Sequence, residues 1–277
     1  MQIKKAIIMN KLFVIKIGGN VIDNDDALQS FLTDFAKLSS PLQGQGAYIL
    51  VHGGGKIATA IGDKLGIQSN YTNGRRITDD ATIDLVTMVY GGLVNKKIVA
   101  KLQSLQCNAL GLTGADGNII PATKREIKDV DFGWVGDVES SRLKVESLQL
   151  LLKGGFVPVF APLTHDGQGH ILNTNADTIA SSLAVALSAY YDVRLVYCFE
   201  KKGVLENVED GSSVIALIDQ EKYDQLIAEE KLFAGIIPKI DNAFNAINAG
   251  VKEVLIGDAR DIVTNVGTNT TGTLIKN

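Results

Sequence analysis

Two lysines near opposite ends of the 277-residue chain stand next to bare backbone. Lys16 follows the apolar run Leu12-Phe13-Val14-Ile15 and leads through Ile17 into Gly18-Gly19. Lys239 follows Ala234-Gly235-Ile236-Ile237-Pro238, where a helix is expected to open. An ammonium beside backbone without side chains suits the close approach of an anion, most often phosphate. Between the two lie a second glycine loop, Val51-His52-Gly53-Gly54-Gly55, and a polar run, Asn173-Thr174-Asn175-Ala176-Asp177. That set, in that order, points to phosphoryl transfer onto a small acid.

The loop after Val51 invites two other readings. A P-loop needs G-x-x-x-x-G-K-[ST]. Here Gly55-Lys56 is followed by Ile57, and Leu50 stands where the first glycine belongs. Gly53-Gly54-Gly55-Lys56-Ile57-Ala58 fits the spacing of a dinucleotide fingerprint, which also requires an acid about 20 residues on to hold a ribose. The chain there reads Asn73-Gly74-Arg75-Arg76, basic and turn-like. What remains is a loop whose amides hold an oxyanion or carboxylate. A single glycine pair more often reports tight helix–strand packing, and Gly91-Gly92 reads that way, against another helix or a second subunit. Gly154-Gly155 reads as a helix C-cap. Gly18-Gly19 and Gly53 to Gly55 stand apart through the company of Lys16 and Arg76.

Other residues sort in the same way. A guanidinium grips a carboxylate at two points, which an ammonium does not, and Arg76 is favoured over Arg75 for that task. Asn175 alone reads as an N-cap, but two amides and an acid in alternation exceed what capping needs. Asp177 is then expected to hold Lys16 and Lys239 by an ion pair on either side. His165 and His170 flank a glycine turn without a Cys or acid cluster at ligand spacing, so they read as loop residues and no zinc site is visible.

The elements that must position these residues alternate between strand and helix. Buried strands are predicted at residues 11–17, 47–51, 107–112, 157–161, 193–199 and 253–256. Helices are predicted at residues 25–38, 56–65, 145–153, 176–189, 219–229 and 239–249, with a long one from Asp79 to about Gln106 capped by Thr78. Residues 117–142 lack a helical period and read as hairpins. Such alternation implies an α/β fold with a mainly parallel sheet between helices, and ligands at the carboxyl ends of its strands. Lys16, Gly53 to Gly55 and Asn173 are all expected at such ends. The turn Asp166-Gly167-Gln168-Gly169 suggests a boundary between lobes 1–170 and 171–277, with a hinge near residue 170.

Composition excludes several classes. With 27 Lys plus Arg against 31 Asp plus Glu the formal charge is −4, which argues against a nucleic-acid partner. No apolar run approaches the ~20 residues of a membrane span. Met1 to Asn10 carries no leader pattern, and Cys107 and Cys198 read as buried free thiols of a reducing compartment, so a cytoplasmic setting is expected.

Taken together the motifs resemble the amino-acid kinase family. Lys16-Ile17-Gly18-Gly19 and Ile236-Ile237-Pro238-Lys239 match signatures shared across that family. Val51 to Gly55, Asn73-Gly74-Arg75-Arg76-Ile77-Thr78 and Asn173 to Asp177 match its branch acting on acylated glutamate. The resemblance implies a three-layer open α/β sandwich and ATP-dependent phosphorylation of the side-chain carboxylate of N-acetyl-L-glutamate, the second step of arginine synthesis. It implies that Lys16 and Lys239 stabilise the transferring phosphoryl group, with Asp177 setting their positions. Gly18 and Gly19 would contact phosphate, while Gly54, Gly55, Arg76 and Asn173 would hold the acylated amino acid. Glu200, Lys201, Lys202, Gly203, Val204 and Leu205 would lie against the nucleotide. The implied cofactors are ATP and Mg2+, the latter held mainly by the nucleotide, and the implied assembly is a homodimer formed through the long helix.

Departures from the family pattern bear on these expectations. Relatives commonly carry an Asp within the stretch Phe199 to Gly203, and Ala234 replaces a usual glycine. Arginine-inhibited relatives carry an extra N-terminal helix, whereas 15 residues precede Lys16 here, so no arginine feedback is expected. Alternatives left open by the residues are N-succinyl-L-glutamate as substrate, an aspartate, glutamate or carbamate kinase, and a non-catalytic ligand-sensing module.

Overall fold

The structure, a computed structural model, describes residues 10–40, 46–207, 209–232 and 235–277. Ala234 and most of the segment ahead of Lys16, on which the arginine-feedback expectation rested, lie outside the described residues.

Eight strands form the central sheet: β1 (Lys11–Ile17), β2 (Ala47–His52), β3 (Ala109–Leu112), β4 (Val157–Phe160), β5 (Asp192–Phe199), β6 (Leu217–Ile218), β7 (Glu253–Asp258) and β8 (Thr273–Ile275). Their order is β6-β8-β7-β5-β1-β2-β4-β3, and every pairing is parallel except β7 with β8. The predicted α/β architecture with a mainly parallel sheet is the one observed. One sheet joins both halves of the chain, because β1 pairs along its whole length with β5, from Lys11–Asp192 to Ile17–Cys198.

Side-chain alternation along the strands divides the core into two layers. Leu12 and Val14 face the helices Ala176–Leu187 and Ile237–Asn248, through Ile179, Leu183, Ile240 and Phe244. Phe13, Ile15 and Ile17 face the helix Asp25–Leu38, through Phe31, Leu32 and Phe35. Both faces of the sheet are covered, which is why β1 reads as an unbroken apolar run.

The helix Asp25–Leu38 has the predicted bounds, and Asn24 caps it by accepting from the Ala27 amide at 2.9 Å. The helix Val145–Lys153 ends at Gly154 as read. The long helix differs from expectation. Its cap is Asp79, which accepts from the Thr82 amide at 2.8 Å, and not Thr78. Both residues are cap formers, but the Thr78 hydroxyl faces inward, fully buried, and accepts from the Asn173 side chain at 3.0 Å. The helix runs Asp80–Val86, passes through a π-helical stretch Thr87–Val94, and resumes as Asn95–Ser104. Gly91 within the stretch packs on Leu163, whereas a side chain at Gly92 would meet open space.

Of three small antiparallel ribbons among the described residues, two carry residues nominated from sequence. Tyr71–Thr72 pairs with Arg75–Arg76 around Asn73-Gly74, both at positive φ (50° and 74°), the backbone a tight two-residue hairpin requires. Leu163–His165 pairs with Ile171–Asn173, joined through the turn containing Asp166 to Gly169. Asn173 therefore ends a ribbon strand and not a strand of the main sheet, as had been expected.

Candidate active site

Three neighbouring parallel strands, β5, β1 and β2, end side by side at Phe199, Ile17 and His52. The loops leaving them carry most of the residues nominated from sequence. Lys16 lies one residue before the end of β1, between Tyr197 and Val51, and is 8% exposed. Its Nζ meets Asp177 Oδ1 at 2.8 Å. The approach is that of an ion pair without good hydrogen-bond geometry, and Oδ1 is otherwise without a partner. Asp177 is free for this role because Asn175 caps its helix, accepting from the amides of Asp177 and Thr178 at 2.8 and 3.2 Å.

Lys239 enters from the other side, on the first turn of the helix Ile237–Asn248. The expected ion pair with Asp177 is not formed. The Lys239 ammonium sits over the Phe199 ring instead, 3.5 Å from its centroid, and Lys16 Nζ lies 5.7 Å from the same centroid. The two cations thus converge. Burial draws the Lys239 pKa below the usual lysine value; the nearby Asp177 carboxylate opposes that shift and the Lys16 charge adds to it. Phe199 was read from sequence only as the last apolar residue of a strand.

A cleft of about 430 Å³ opens here, bordered by Lys16, Gly18, Gly19, Phe199 and Lys239. The segment nominated for the nucleotide divides. Glu200, Lys201 and Gly203 border the cleft, but Lys202 does not. Val204 and Leu205 are core residues, 1% and 4% exposed, and the Val204 amide donates to Thr273 Oγ1 at 2.8 Å. Their burial follows from the chain turning inward against β8, where the Val204 amide finds Thr273.

The residues nominated for the acid cluster beside the glycine loop. Gly54 lies so close to the π-helical stretch that a Cβ there would come within 3.0 Å of Tyr90 Cδ1. Arg76, 7% exposed, donates from Nη2 to Gly55 O and to Thr59 Oγ1, both at 2.9 Å, and from Nη1 to Ser69 Oγ. Its guanidinium also lies over Tyr71, 4.8 Å from the centroid. All these partners are neutral. Among the described residues no carboxylate forms an ion pair with Arg76, so its buried charge is left for an incoming anion. Asn173 reaches the same cluster through Thr78, whose hydroxyl also contacts Arg76 O at 3.4 Å.

His52 organises the loop from below. It is fully buried, with Nδ1 2.7 Å from Gly53 O and Nε2 3.1 Å from Asn95 Nδ2. A carbonyl only accepts, so Nδ1 carries the proton and Nε2 accepts from the Asn95 amide, which also donates to Val159 O at 2.9 Å. Burial pushes the His52 pKa down to about 4. Its folded value lies below its unfolded value, so this stabilising contribution is complete above about pH 6.5 and is lost as pH falls toward 4. Wild type should lose about 2 kcal/mol of unfolding free energy from this group between pH 7 and 5. Urea titrations at both pH values check this: His52→Asn should show a smaller pH difference, and an equal one would refute the assignment.

Residues 11–258 match the amino acid kinase family, and the chain belongs to that family. An acetylglutamate kinase from Cytophaga hutchinsonii is 55% identical over 264 residues, covering 95% of this chain and 97% of that one. Carbamate kinase from Giardia lamblia shares the fold at a TM-score of 0.69 and 14% identity, over 97% of this chain and 99% of that chain. N-acetylglutamate synthase from Neisseria gonorrhoeae shares it at a TM-score of 0.79 and 21% identity, over 97% of this chain and 59% of that larger one.

Proposed function

We propose that this chain transfers the γ-phosphoryl group of ATP to the side-chain carboxylate of N-acetyl-L-glutamate, giving the acyl phosphate of arginine synthesis. The observation that carries the reading is the convergence of Lys16 and Lys239 on one ring in one cleft. A carboxylate oxygen attacks phosphorus, the bond to the bridging oxygen breaks, and ADP leaves with that electron pair. The acid is ionised at neutral pH, so no general base is required. The barrier is repulsion between anions, which fixed ammonium groups and amides offset. Arg76, the Gly54 and Gly55 amides and Asn173 hold the acid, while Gly18, Gly19, Glu200, Lys201 and Gly203 border the nucleotide. Asp177 orients Lys16.

No group of three or more His, Cys, Asp or Glu suited to a metal occurs among the described residues. The cleft offers mainly ammonium groups, which complement phosphate oxygens and fit Mg2+ carried in on the triphosphate. Residues 1–170 would serve as the acid lobe and residues 171–277 as the ATP lobe. A homodimer formed along the long helix is supported by the outward apolar side chains of Met88 and Leu93, 56% and 37% exposed. A cytoplasmic setting suits a biosynthetic kinase, and no described helix is long and apolar enough to cross a membrane.

The test is ADP release with N-acetyl-L-glutamate, N-succinyl-L-glutamate, L-glutamate, L-aspartate and carbamate. Turnover should be fastest on N-acetyl-L-glutamate. Preference for an unacylated acid, or ADP release indifferent to the acceptor, would overturn the reading.

A further inference from the structure

Lys16 and Lys239 pose an electrostatic problem for any enzyme that needs both at one phosphoryl group. They repel one another, and each needs a partner when no substrate is bound. Lys16 has Asp177. A carboxylate serving Lys239 in the same way would hold its ammonium but also neutralise it, and would repel an entering phosphate. Among the described residues Lys239 forms no ion pair, and the group its ammonium touches is the Phe199 face, at 3.5 Å from the centroid. The same ring lies 5.7 Å from Lys16 Nζ.

The ring is itself fixed. Phe199 is the last residue of β5, in register with Asp258 of β7, and Tyr197 on the same strand face stacks with it at 6.3 Å between centroids. An aromatic face carries partial negative charge without a formal one, and it attracts cations most strongly where water is excluded. It therefore seats an ammonium while leaving its full charge available to a phosphate oxygen.

We infer that Phe199 is a positioning residue whose ring face seats the Lys239 ammonium, and more loosely that of Lys16, in the geometry that meets the transferring phosphoryl group. The inference rests on the proposed phosphoryl transfer, acting through the lysines and not by contact with the reacting atoms.

Two measurements test it, and the first does not depend on turnover. With ε-13C-labelled lysine, the ε-methylene protons of Lys239, assigned through Lys239→Arg, should resonate upfield of ordinary lysines in wild type. They should return to the ordinary position in Phe199→Leu. An unshifted Lys239 signal in wild type overturns the seat whatever reaction the enzyme performs. The second measurement is turnover with phenylalanine at position 199 replaced site-specifically by mono-, di- and trifluorinated analogues, which keep ring shape while weakening its attraction for cations. The kcat should fall stepwise with fluorination, by about 10-fold across the series, the scale of a partly desolvated cation–π contact. KM for ATP should stay within about twofold, because a positioning role leaves nucleotide binding intact. Phe199→Trp should retain kcat better than Phe199→Leu. A flat fluorination series, or one that raises KM for ATP while kcat holds, overturns the inference. A normal ring-shifted signal in an enzyme without kinase activity would leave the seat standing and reject the function.

Discussion

Lys239→Ala should lower kcat by about 10²–10³-fold or more, the loss that follows removal of one preorganised group stabilising transition-state charge. In the transition state negative charge spreads over the equatorial oxygens of a phosphoryl group flanked by two other anions. Lys239 is suited to meet that charge because burial has already stripped much of its water and, among the described residues, no carboxylate forms an ion pair with it. Its removal leaves no protein anion unpaired. The loss should therefore appear in kcat with thermal stability close to wild type, and a steady-state assay beside a melting curve separates the two. Lys16→Ala should lose at least as much turnover, but it also strips Asp177 Oδ1 of its partner and should cost stability as well. Activity of Lys239→Ala within tenfold of wild type would remove that lysine from the phosphoryl site.

Arg76→Ala should act on the other substrate. Its guanidinium presents a fork to a carboxylate, and two charge-assisted hydrogen bonds lost together correspond to a rise in KM for the acid of about 10²-fold. The KM for ATP should change little, since the nucleotide cleft lies beyond the glycine loop. Part of the effect will be indirect, because Arg76 ties Gly55 O to Thr59 and so holds the loop's shape. Arg76→Lys separates the contributions: an ammonium keeps the charge but not the planar fork, and should restore less than the full affinity. An Arg76→Ala enzyme with an unchanged KM for the acid would place the acid elsewhere.

The sequence yielded the parts of this molecule whose causes are local. β1, β2 and β5 are legible because strands covered on both faces show unbroken apolar runs. The helix Asp25–Leu38 is legible because its apolar spacing lies within one segment. Lys16 could be nominated because it interrupts an apolar run, and Gly18, Gly54, Arg76 and Asp177 because they stand in glycine-rich or polar runs at the ends of predicted elements. What stayed hidden depends on segments far apart in the chain. Nothing beside Phe199 reveals that a lysine from a different helix rests on it. Asn95 looks like any polar residue inside a helix until His52 is found against it. Thr78 and Asp79 are both good caps, and only the Asn173 contact decides which one turns inward. Val204 and Leu205 were carried along with their neighbours, although the chain dives into the core between Lys202 and Gly203.

The π-helical stretch from Thr87 to Val94 fixes the angular phase of everything after it. Each residue of a regular helix advances the side-chain direction by about 100°, and a wider winding lets the chain progress with less rotation. Asn95 is the first residue past that slack, and from there its amide bridges His52 and the Val159 carbonyl. Shortening the stretch by a single residue would restore ordinary winding, swing Asn95 away from the imidazole, and leave the Gly53 to Gly55 turn without its underpinning. The irregular winding is therefore a spacer whose length is dictated by a loop more than thirty positions earlier in the chain.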